Sequence, residues 1–392
     1  LADRPVMFCS YPITPASPLL HRLSRLGELA VGTFQAEDEI AAICAAIGAS
    51  YGGMIGVTSS SGPGIALKTE AMGLAVSAEL PLVIINWQRG GPSTGLPTKT
   101  EQSDLYQAIY GRNADTPLPV VAAVTSGDCF DMAIEATRIA LRHMTPVILL
   151  ADGYLSNAAE PWRIPDIGSI AAIEHHAAPE PDPESTPQRQ AFTRDEKSYG
   201  RPWITPGMPE LVHRTGGLEK DYFTGHISYD PDNHQRMTEF RAAKVDSVAR
   251  FIPDQAIELG DSSGDVEIEG TGPLEIDDSS GDIDIERTAG GVVLEDSSGD
   301  IELEDIGGDV LVRRDSSGSI YGRRIEGSVR VERDSSGEIE FRDVRDDFVV
   351  ERDSSGDIVA DTIGGDFRVL SDSSGDIDLR GVQGEVEIPD KG

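Results

Sequence analysis

The sequence predicts two unlike folds in one chain: a doubly wound α/β domain on a parallel sheet, followed by an all-β solenoid of the β-helix kind. Three observations carry this reading. Through about the first 160 residues, apolar segments without polar alternation are separated by helical segments, as in a parallel sheet covered on both faces. The tetrapeptide DSSG then occurs seven times, starting at Asp261, Asp278, Asp296, Asp315, Asp334, Asp353 and Asp372. Composition divides near the same place, because all three Cys, three Trp, seven His and seven Met precede residue 251. The expected organisation is an α/β domain over 1–175, a proline-rich loop and extended arm over 176–259, and the solenoid over 260–392.

Residues 38–49 (DEIAAICAAIGA) predict an Ala-rich helix, with Ile40, Ile43, Cys44 and Ile47 at helical spacing. Gly52 and Gly53 stop it, and MIGVTS reads as a buried strand. The loop SSSGPG leads into a second helix through Leu67, Met72 and Leu74. PLVIIN, VVAAVT and PVILLAD are further continuous strands, with the helix DCFDMAIEATRIALRHM between the last two. Parallel sheets bind ligands at the carboxyl ends of their strands, so the informative loops are 10–17, 58–64, 87–100 and 151–157. The acidic, proline-rich stretch after His175 and His176 reads as an exposed loop.

The DSSG repeats step by 17, 18 and then 19 residues, a period that signals stacked coils. Within the unit starting at Asp296, Ile301 and Leu303 read as one strand and Val310 and Val312 as another, with Gly307 and Gly308 at the corner. Stacking equivalent positions predicts an internal column Val266–Ile283–Ile301–Ile320–Ile339–Ile358–Ile377. Seven coils at about 4.8 Å each give a rod of roughly 30 Å. The seven Asp residues also stack, and like charges about 5 Å apart repel. Two readings stay open: Ca2+ bound along the ladder, or a turn in which Asp and Ser cap their own backbone. Arg314, Arg333 and Arg352 each precede a ladder Asp and are candidates to neutralise it.

The formal charge is −35, of which −26 falls after residue 250. Such a surface repels phosphates, so nucleic acid and anionic membranes are not expected partners. No apolar run approaches the roughly 20 residues of a membrane span. The opening LADRPVMFCSYP has neither the basic nor the apolar region of a signal peptide, and a cytoplasmic location is expected. Cys9, Cys44 and Cys129 are far apart and odd in number, which predicts buried free thiols in a reducing compartment and no metal site on this chain. His21, His143, His213, His226 and His234 share no short ligand spacing and read as solvated or capping residues.

YPITPAS (11–17), FQAEDE (34–39), TSSSGPG (58–64), QRGGPSTGLPTKTEQSDL (88–105) and DGYLSN (152–157) stand in family order, with HRTGGLEKDYFTGHISYDPDNHQRM (213–237) beyond them. Together these segments resemble the α subunit of 2-oxoacid:ferredoxin oxidoreductases, nearest the 2-oxoglutarate branch, from Tyr11 to about Leu259. The resemblance implies a pyrimidine-binding module for thiamine diphosphate, shared with a β subunit. That partner is expected to carry the diphosphate site, Mg2+ and an iron–sulfur cluster. The implied reaction is oxidative decarboxylation of a 2-oxoacid to acyl-CoA, with coenzyme A as acceptor and electrons passed to ferredoxin. The solenoid resembles bacterial adhesin-like β-helical repeat domains. The family pattern breaks near residue 260, where a further α/β domain is expected and the repeat begins instead, as in a natural fusion, an engineered chimera or a mis-joined sequence. Activity of this chain alone is therefore not expected.

The resemblance places the catalytic carboxylate at Glu37, which would hydrogen-bond the aminopyrimidine ring, while Asp38 and Glu39 read as first-turn acids offsetting the helix dipole. Arg89, at a strand end, suits a substrate carboxylate through its guanidinium fork. Thr14 is read either as a substrate-binding hydroxyl or as a turn residue bonded to its own backbone. Ser93 and Thr98 are candidate hydroxyl donors, and Lys99 a candidate for a second carboxylate if the substrate is 2-oxoglutarate. Thr58, Gly62 and Gly64 are expected near the cofactor, or else only to shape a tight strand–helix turn. A second functional class also stands: a structural or adhesin-like solenoid protein with a non-catalytic α/β module.

Overall fold

The computed structural model describes residues 1–26, 31–180, 182–252, 257–261, 264–270 and 272–389. Residues 253–256 at the join, and Ser262 and Ser263 of the first DSSG, lie outside the described residues. The chain divides into two compact units, Leu1–Ile252 and Pro253–Gly392.

The first unit runs β1 (Val6–Ser10), α1 (Ser17–Leu23), β2 (Val31–Gln35), α2 (Glu39–Tyr51), β3 (Ile55–Ser60), α3 (Gly62–Leu67), α4 (Thr69–Ala78), β4 (Leu82–Gln88), α5 (Leu105–Tyr110), β5 (Val120–Ala122), α6 (Asp128–His143) and β6 (Pro146–Asp152). The strands form one sheet in the order β2-β1-β3-β4-β6-β5, every pair parallel. Switching direction after β1 makes the sheet doubly wound, as the sequence predicts. Two strands, β1 and β2, escape sequence reading. Their segments VMFCS and VGTFQ mix polar with apolar residues, and β2 is a half-exposed edge. The expected long second helix is instead α3 and α4, separated at Lys68.

The buried face of α2 consists of Glu39, Ala42, Ile43, Ala46, Ile47 and Ser50. Ile40 is 48% exposed and Cys44 is exposed. The apolar stripe is thus narrower than expected, and Cys44 is not one of the buried thiols. Cys9 is buried, and burial pushes its thiol up to about 11 against the nearby Lys68 charge. His143, expected to be solvated or capping, is instead 1% exposed at the end of α6, where its Nδ1 meets the Ser198 carbonyl oxygen at 2.8 Å.

Beyond β6 the chain carries α7 (Pro187–Ala191) and α8 (Pro231–Asp246). This arm is fastened to the core through a buried ion cluster. Glu79, at the left-handed end of α4, receives Arg194 at 2.7 and 3.1 Å and Lys244 at 3.0 Å, with Lys220 3.5 Å away. Among the described residues no helix is long and apolar enough to cross a membrane.

In the second unit, two parallel sheets of seven and eight strands stack coil on coil. One face runs from Val266–Glu269 through Ile283–Thr288, Ile301–Ile306, Ile320–Ile325, Ile339–Val344 and Ile358–Ile363 to Ile377–Arg380. The predicted column appears residue for residue, since Val266, Ile283, Ile301, Ile320, Ile339, Ile358 and Ile377 are successive register partners. A second column, Leu274–Val292–Val310–Val329–Phe348–Phe367, lines the opposite wall. Both columns are buried in one continuous core from Val266 to Val369. This is a solenoid with alternating side chains turned inward from each wall.

The glycine of DSSG is dictated by geometry. Gly299, Gly318 and Gly337 have φ near +137°, and a Cβ on any of them would lie within 1.7 Å of the preceding coil's glycine carbonyl oxygen. Arg314, Arg333 and Arg352 do not neutralise the ladder. Each is exposed while the adjoining Asp is buried, because an extra residue between the last inward Val and the Asp breaks strand alternation there, and Arg314 pairs with Glu295.

Candidate functional site

The carboxyl ends of β1 to β4 are where the first unit gathers its polar residues. Helix α2 begins just past β2, and its N-cap is Asp38, whose Oδ1 accepts the Ala41 N–H at 2.6 Å. Glu39 follows in the first turn and is only 9% exposed. Glu37, one residue before the cap, is exposed and has no hydrogen bond or ion pair among the described residues. Of three consecutive acids, Asp38 caps, while Glu37 and Glu39 make no side-chain hydrogen bond or ion pair among the described residues, Glu37 exposed and Glu39 largely buried.

Lys68 ties this turn to the next strand. It is fully buried, and its Nζ donates to the Glu39 carbonyl at 2.8 Å and to the Thr58 hydroxyl at 3.3 Å. Burial pulls its ammonium down to about 8, against the opposing pull of Glu39 and Asp38. Thr58 and the turn carrying Glu37 are thereby joined through one side chain. Sequence reading missed Lys68; the signal was a single lysine in an otherwise apolar helical stretch, GIALKTEAMG.

Gly64 has no room for a side chain, because a Cβ there would sit 2.1 Å from Ser60 Oγ and 2.7 Å from Glu39 Cγ. The close approach that this glycine permits is therefore packing of α3 on β3 and α2. Gly62 faces Asp104, whose Oδ2 would be 2.9 Å from an added Cβ.

Arg89 follows β4 and is 6% exposed. Its Nη1 donates to the Thr14 carbonyl at 2.6 Å and its Nη2 to the Thr94 carbonyl at 3.0 Å. The fork thus clamps two loops together, and of the three N–H groups left over the one on Nε is buried without a partner. The Thr14 side chain is exposed, and this residue meets Arg89 through its backbone.

A cleft of about 580 Å³ opens beside the clamp, lined by Gly62, Arg89, Ser93, Glu101, Asp104 and Gln107 among others. Its wall is braced by Asn86 Nδ2 donating to Asp104 Oδ2 at 3.0 Å, and by the Gly91 N–H donating to Glu101 Oε2 at 2.6 Å. Glu101, Asp104 and Asn86 were not singled out from the sequence, where nothing separates them from ordinary loop polars. Thr98 and Lys99 are exposed and do not line this cleft. The structure therefore brings Arg89, Ser93 and Gly62 into one cleft, and links Thr58 to the Glu37 turn.

Buried polar atoms at the strand ends remain without partners: the Ser59, Ser60 and Ser61 hydroxyls at and just past the end of β3, and Asn86 Oδ1, Trp87 Nε1 and Arg89 Nε on and after β4. Unpaired buried polar groups are costly, and their concentration here suits a polar ligand with ring nitrogens or oxygens. Among the described residues no group of three or more His, Cys, Asp or Glu is placed to hold a metal ion.

Comparison with known proteins matches residues 2–226 to the family described as pyruvate flavodoxin/ferredoxin oxidoreductase, thiamine diphosphate-binding. A 2-oxoglutarate oxidoreductase subunit KorA from Mycobacterium tuberculosis is 53% identical over 268 residues, covering 68% of this chain and 40% of the relative. A 2-oxoglutarate synthase subunit KorA from Archaeoglobus fulgidus is 44% identical over 171 residues, 43% of this chain and 49% of the relative. The fold also matches a solved 2-oxoglutarate:ferredoxin oxidoreductase from Magnetococcus marinus with 2-oxoglutarate, coenzyme A and succinyl-CoA bound. That match has a TM-score of 0.58 and 33% identity, over 69% of this chain and 46% of the other. The chain thus spans less than half the length of these relatives.

Proposed function

The chain belongs to the pyruvate flavodoxin/ferredoxin oxidoreductase thiamine diphosphate-binding family, and from that premise we propose that it is the α-type subunit of a 2-oxoglutarate oxidoreductase. It would work with a β subunit that holds the diphosphate, Mg2+ and an iron–sulfur cluster. Together they would oxidatively decarboxylate the 2-oxoacid, transfer its acyl group to coenzyme A with release of carbon dioxide and a proton, and pass two electrons to ferredoxin. Residues 176–259 are assigned to the same module as an arm.

The observation that carries this reading is the division of labour at 37–39. Capping occupies Asp38 and Glu39 is largely buried, while the Glu37 carboxylate, exposed and without a partner, would engage a ring nitrogen. Thiamine diphosphate, when bound, supplies the nucleophilic carbon and the electron sink. Glu37 would hold the proton at the aminopyrimidine nitrogen, a role that needs an unpaired carboxylate. Lys68 fixes the backbone on which that carboxylate stands. Arg89 holds the Thr14 and Thr94 loops together and keeps Nε–H for a substrate carboxylate. Ser93, Thr98 and Thr14 are assigned as hydroxyl contacts, and Lys99 as the partner of a second carboxylate. Thr58, Gly62 and Gly64 belong to the segment that approaches the cofactor.

The test is co-expression with a β subunit of this family, followed by 2-oxoglutarate-dependent reduction of a low-potential acceptor. A complex fully loaded with cofactor and cluster that shows no turnover contradicts the proposal. Glu37→Ala abolishes turnover. Asp38→Ala removes an N-cap, costing about 1 kcal/mol of stability, and leaves turnover in place. Equal losses from both would remove Glu37 from its assigned role.

A further inference from the structure

The solenoid buries a line of acids. Asp278, Asp296, Asp315, Asp334 and Asp353 are each at most 1% exposed. They occupy equivalent positions in five successive coils, joined by backbone bonds such as Asp296 N–H to the Arg314 carbonyl and Asp315 N–H to the Arg333 carbonyl, at 2.8 and 2.9 Å. Neighbours in such a stack are about 4.8 Å apart.

One oxygen of most of these carboxyls is used locally. Asp296 Oδ1 accepts the Ser297 and Ser298 N–H groups at 2.6 and 3.1 Å, and Asp278 does the same with Ser279 and Ser280 at 2.6 and 3.2 Å. Capping of the turn by its own Asp is therefore present. It does not account for the second oxygen. Oδ2 of Asp278, Asp296, Asp315 and Asp353, and both oxygens of Asp334, are buried with no hydrogen-bond partner.

The charged groups around the column offer its carboxylates no ion pair. Preceding each ladder Asp are Asp277, Glu295, Arg314, Arg333 and Arg352; Glu295 is half-buried, the others are exposed, and none is ion-paired with the column. On the far side of the turn stand Asp282, Asp300, Glu338 and Asp357. Beyond the last buried coil comes half-buried Asp372. A parallel outer ladder shows what a satisfied carboxylate looks like here: Asp282 Oδ1 accepts the Asp300 N–H, and Asp300 Oδ1 the Ser319 N–H, at 3.0 and 2.8 Å. Among the described residues the second oxygens of the inner ladder have no such donors, and no Arg or Lys is ion-paired with them.

We propose that the buried DSSG column is a proton-binding site, in which carboxyl groups of successive coils take up and share protons where an exposed carboxylate would have none, so that acid tightens the solenoid. A protonated carboxyl can donate to its ionised neighbour, converting a repulsive pair into a hydrogen bond. A divalent cation is the competing ligand, but no group of three acids is placed to hold one among the described residues. The column's own chemistry agrees: burial, then the charge of Asp296, pushes Asp315 up to about 6, and burial with Asp315 and Asp353 pushes Asp334 up to about 7. The centre of the stack, with an acid on both sides, is the most affected.

The direction follows from linkage. A carboxyl whose folded value lies above its unfolded one favours the fold when protonated. Its contribution is full below about pH 4 and is lost as pH rises through about 6 to 7. The experiment uses the full chain with 13C-carboxyl-labelled aspartate, titrated by NMR from pH 8 to pH 4, with amide exchange of residues 283–369 followed in parallel. The expected result is a set of buried Asp carboxyls titrating above pH 5, with slower amide exchange at pH 5 than at pH 8 after correction for intrinsic rates. Asp334→Asn keeps the shape and removes one charge, and should raise the solenoid's midpoint at pH 8 by on the order of 4 °C. Ordinary carboxylate titration of every Asp overturns the proposal, whether or not the variant folds. So does a lower midpoint for Asp334→Asn at pH 8, or a midpoint raised by Ca2+ and lowered by chelator.

Discussion

The two units bury carboxylates in opposite ways. In the α/β unit, Glu79 lies among Arg194, Lys220 and Lys244. Burial pushes its carboxyl up, but those three charges together outweigh burial and hold it well below the usual carboxylate range. In the solenoid, burial and neighbouring acids act in the same direction on Asp315 and Asp334. The difference comes from symmetry. A non-repeating fold can bring Arg194 and Lys244 to Glu79 from 115 and 165 residues away. A repeat stacks each residue on its own copy, so an inward acid meets an inward acid. A cation could enter the column only by breaking the repeat.

The largest effect should come from removing the single acid of the first arrangement. Glu79→Ala leaves Arg194, Lys220 and Lys244 buried without a counter-charge, and breaking a buried pair in this way costs about 3–5 kcal/mol. Unfolding of the first unit can be followed alone by tryptophan fluorescence, because Trp87, Trp162 and Trp203 all lie in it. A loss below about 1 kcal/mol in urea would show that the cluster is not what holds the arm to α4, and the contrast with the acid column would fail.

Acid should separate the two units further. Burial pulls His143 down to about 4, although the Ser198 carbonyl opposes it. Its neutral form is the one the fold accepts, so its contribution is present above about pH 6.5 and lost as pH falls towards 4. The first unit should lose up to about 3 kcal/mol over that window, read by tryptophan fluorescence. The solenoid gains stability over the same window through its column. His143→Gln should flatten the first response and leave the second untouched; a His143→Gln protein with the same acid sensitivity would assign that loss elsewhere.

How much of this could be read from sequence follows the same division. The column from Val266 to Ile377 was legible because strand alternation and coil period repeat the same signal seven times. That the ladder Asp would be buried was not, since turn aspartates are ordinarily exposed and only the stacked geometry turns them inward. In the first unit the continuous strands β3, β4 and β6 were plain, whereas β2 was hidden by polar residues that a parallel edge tolerates, and β1, a short inner strand between β2 and β3, was missed although it is largely apolar. Glu37 was reachable through the FQAEDE motif. Lys68 was not, because its partners, Glu39 and Thr58, are 29 and 10 residues away. Nor was the Glu79 cluster, whose members share no local pattern.

The smallest effect tests the comparison from the surface. Where the repeat has diverged, outward positions do alternate in sign, and Arg345 Nη1 reaches Glu326 Oε2 in the preceding coil at 2.8 Å. Arg323 and Glu304 are paired in the same way. Water reaches both members of the Arg345–Glu326 pair, since their side chains are 68% and 65% exposed. Such exposed pairs are worth about 0–1 kcal/mol and weaken with salt. Arg345→Ala should therefore change the solenoid's stability by less than about 0.5 kcal/mol in chemical denaturation followed by far-ultraviolet circular dichroism. The surface pairs then serve mainly to lower charge repulsion between coils, while the buried column sets the pH response. A loss above about 2 kcal/mol, or a pH response abolished by Arg345→Ala, would move the control of stability from the inside of the coil to the outside.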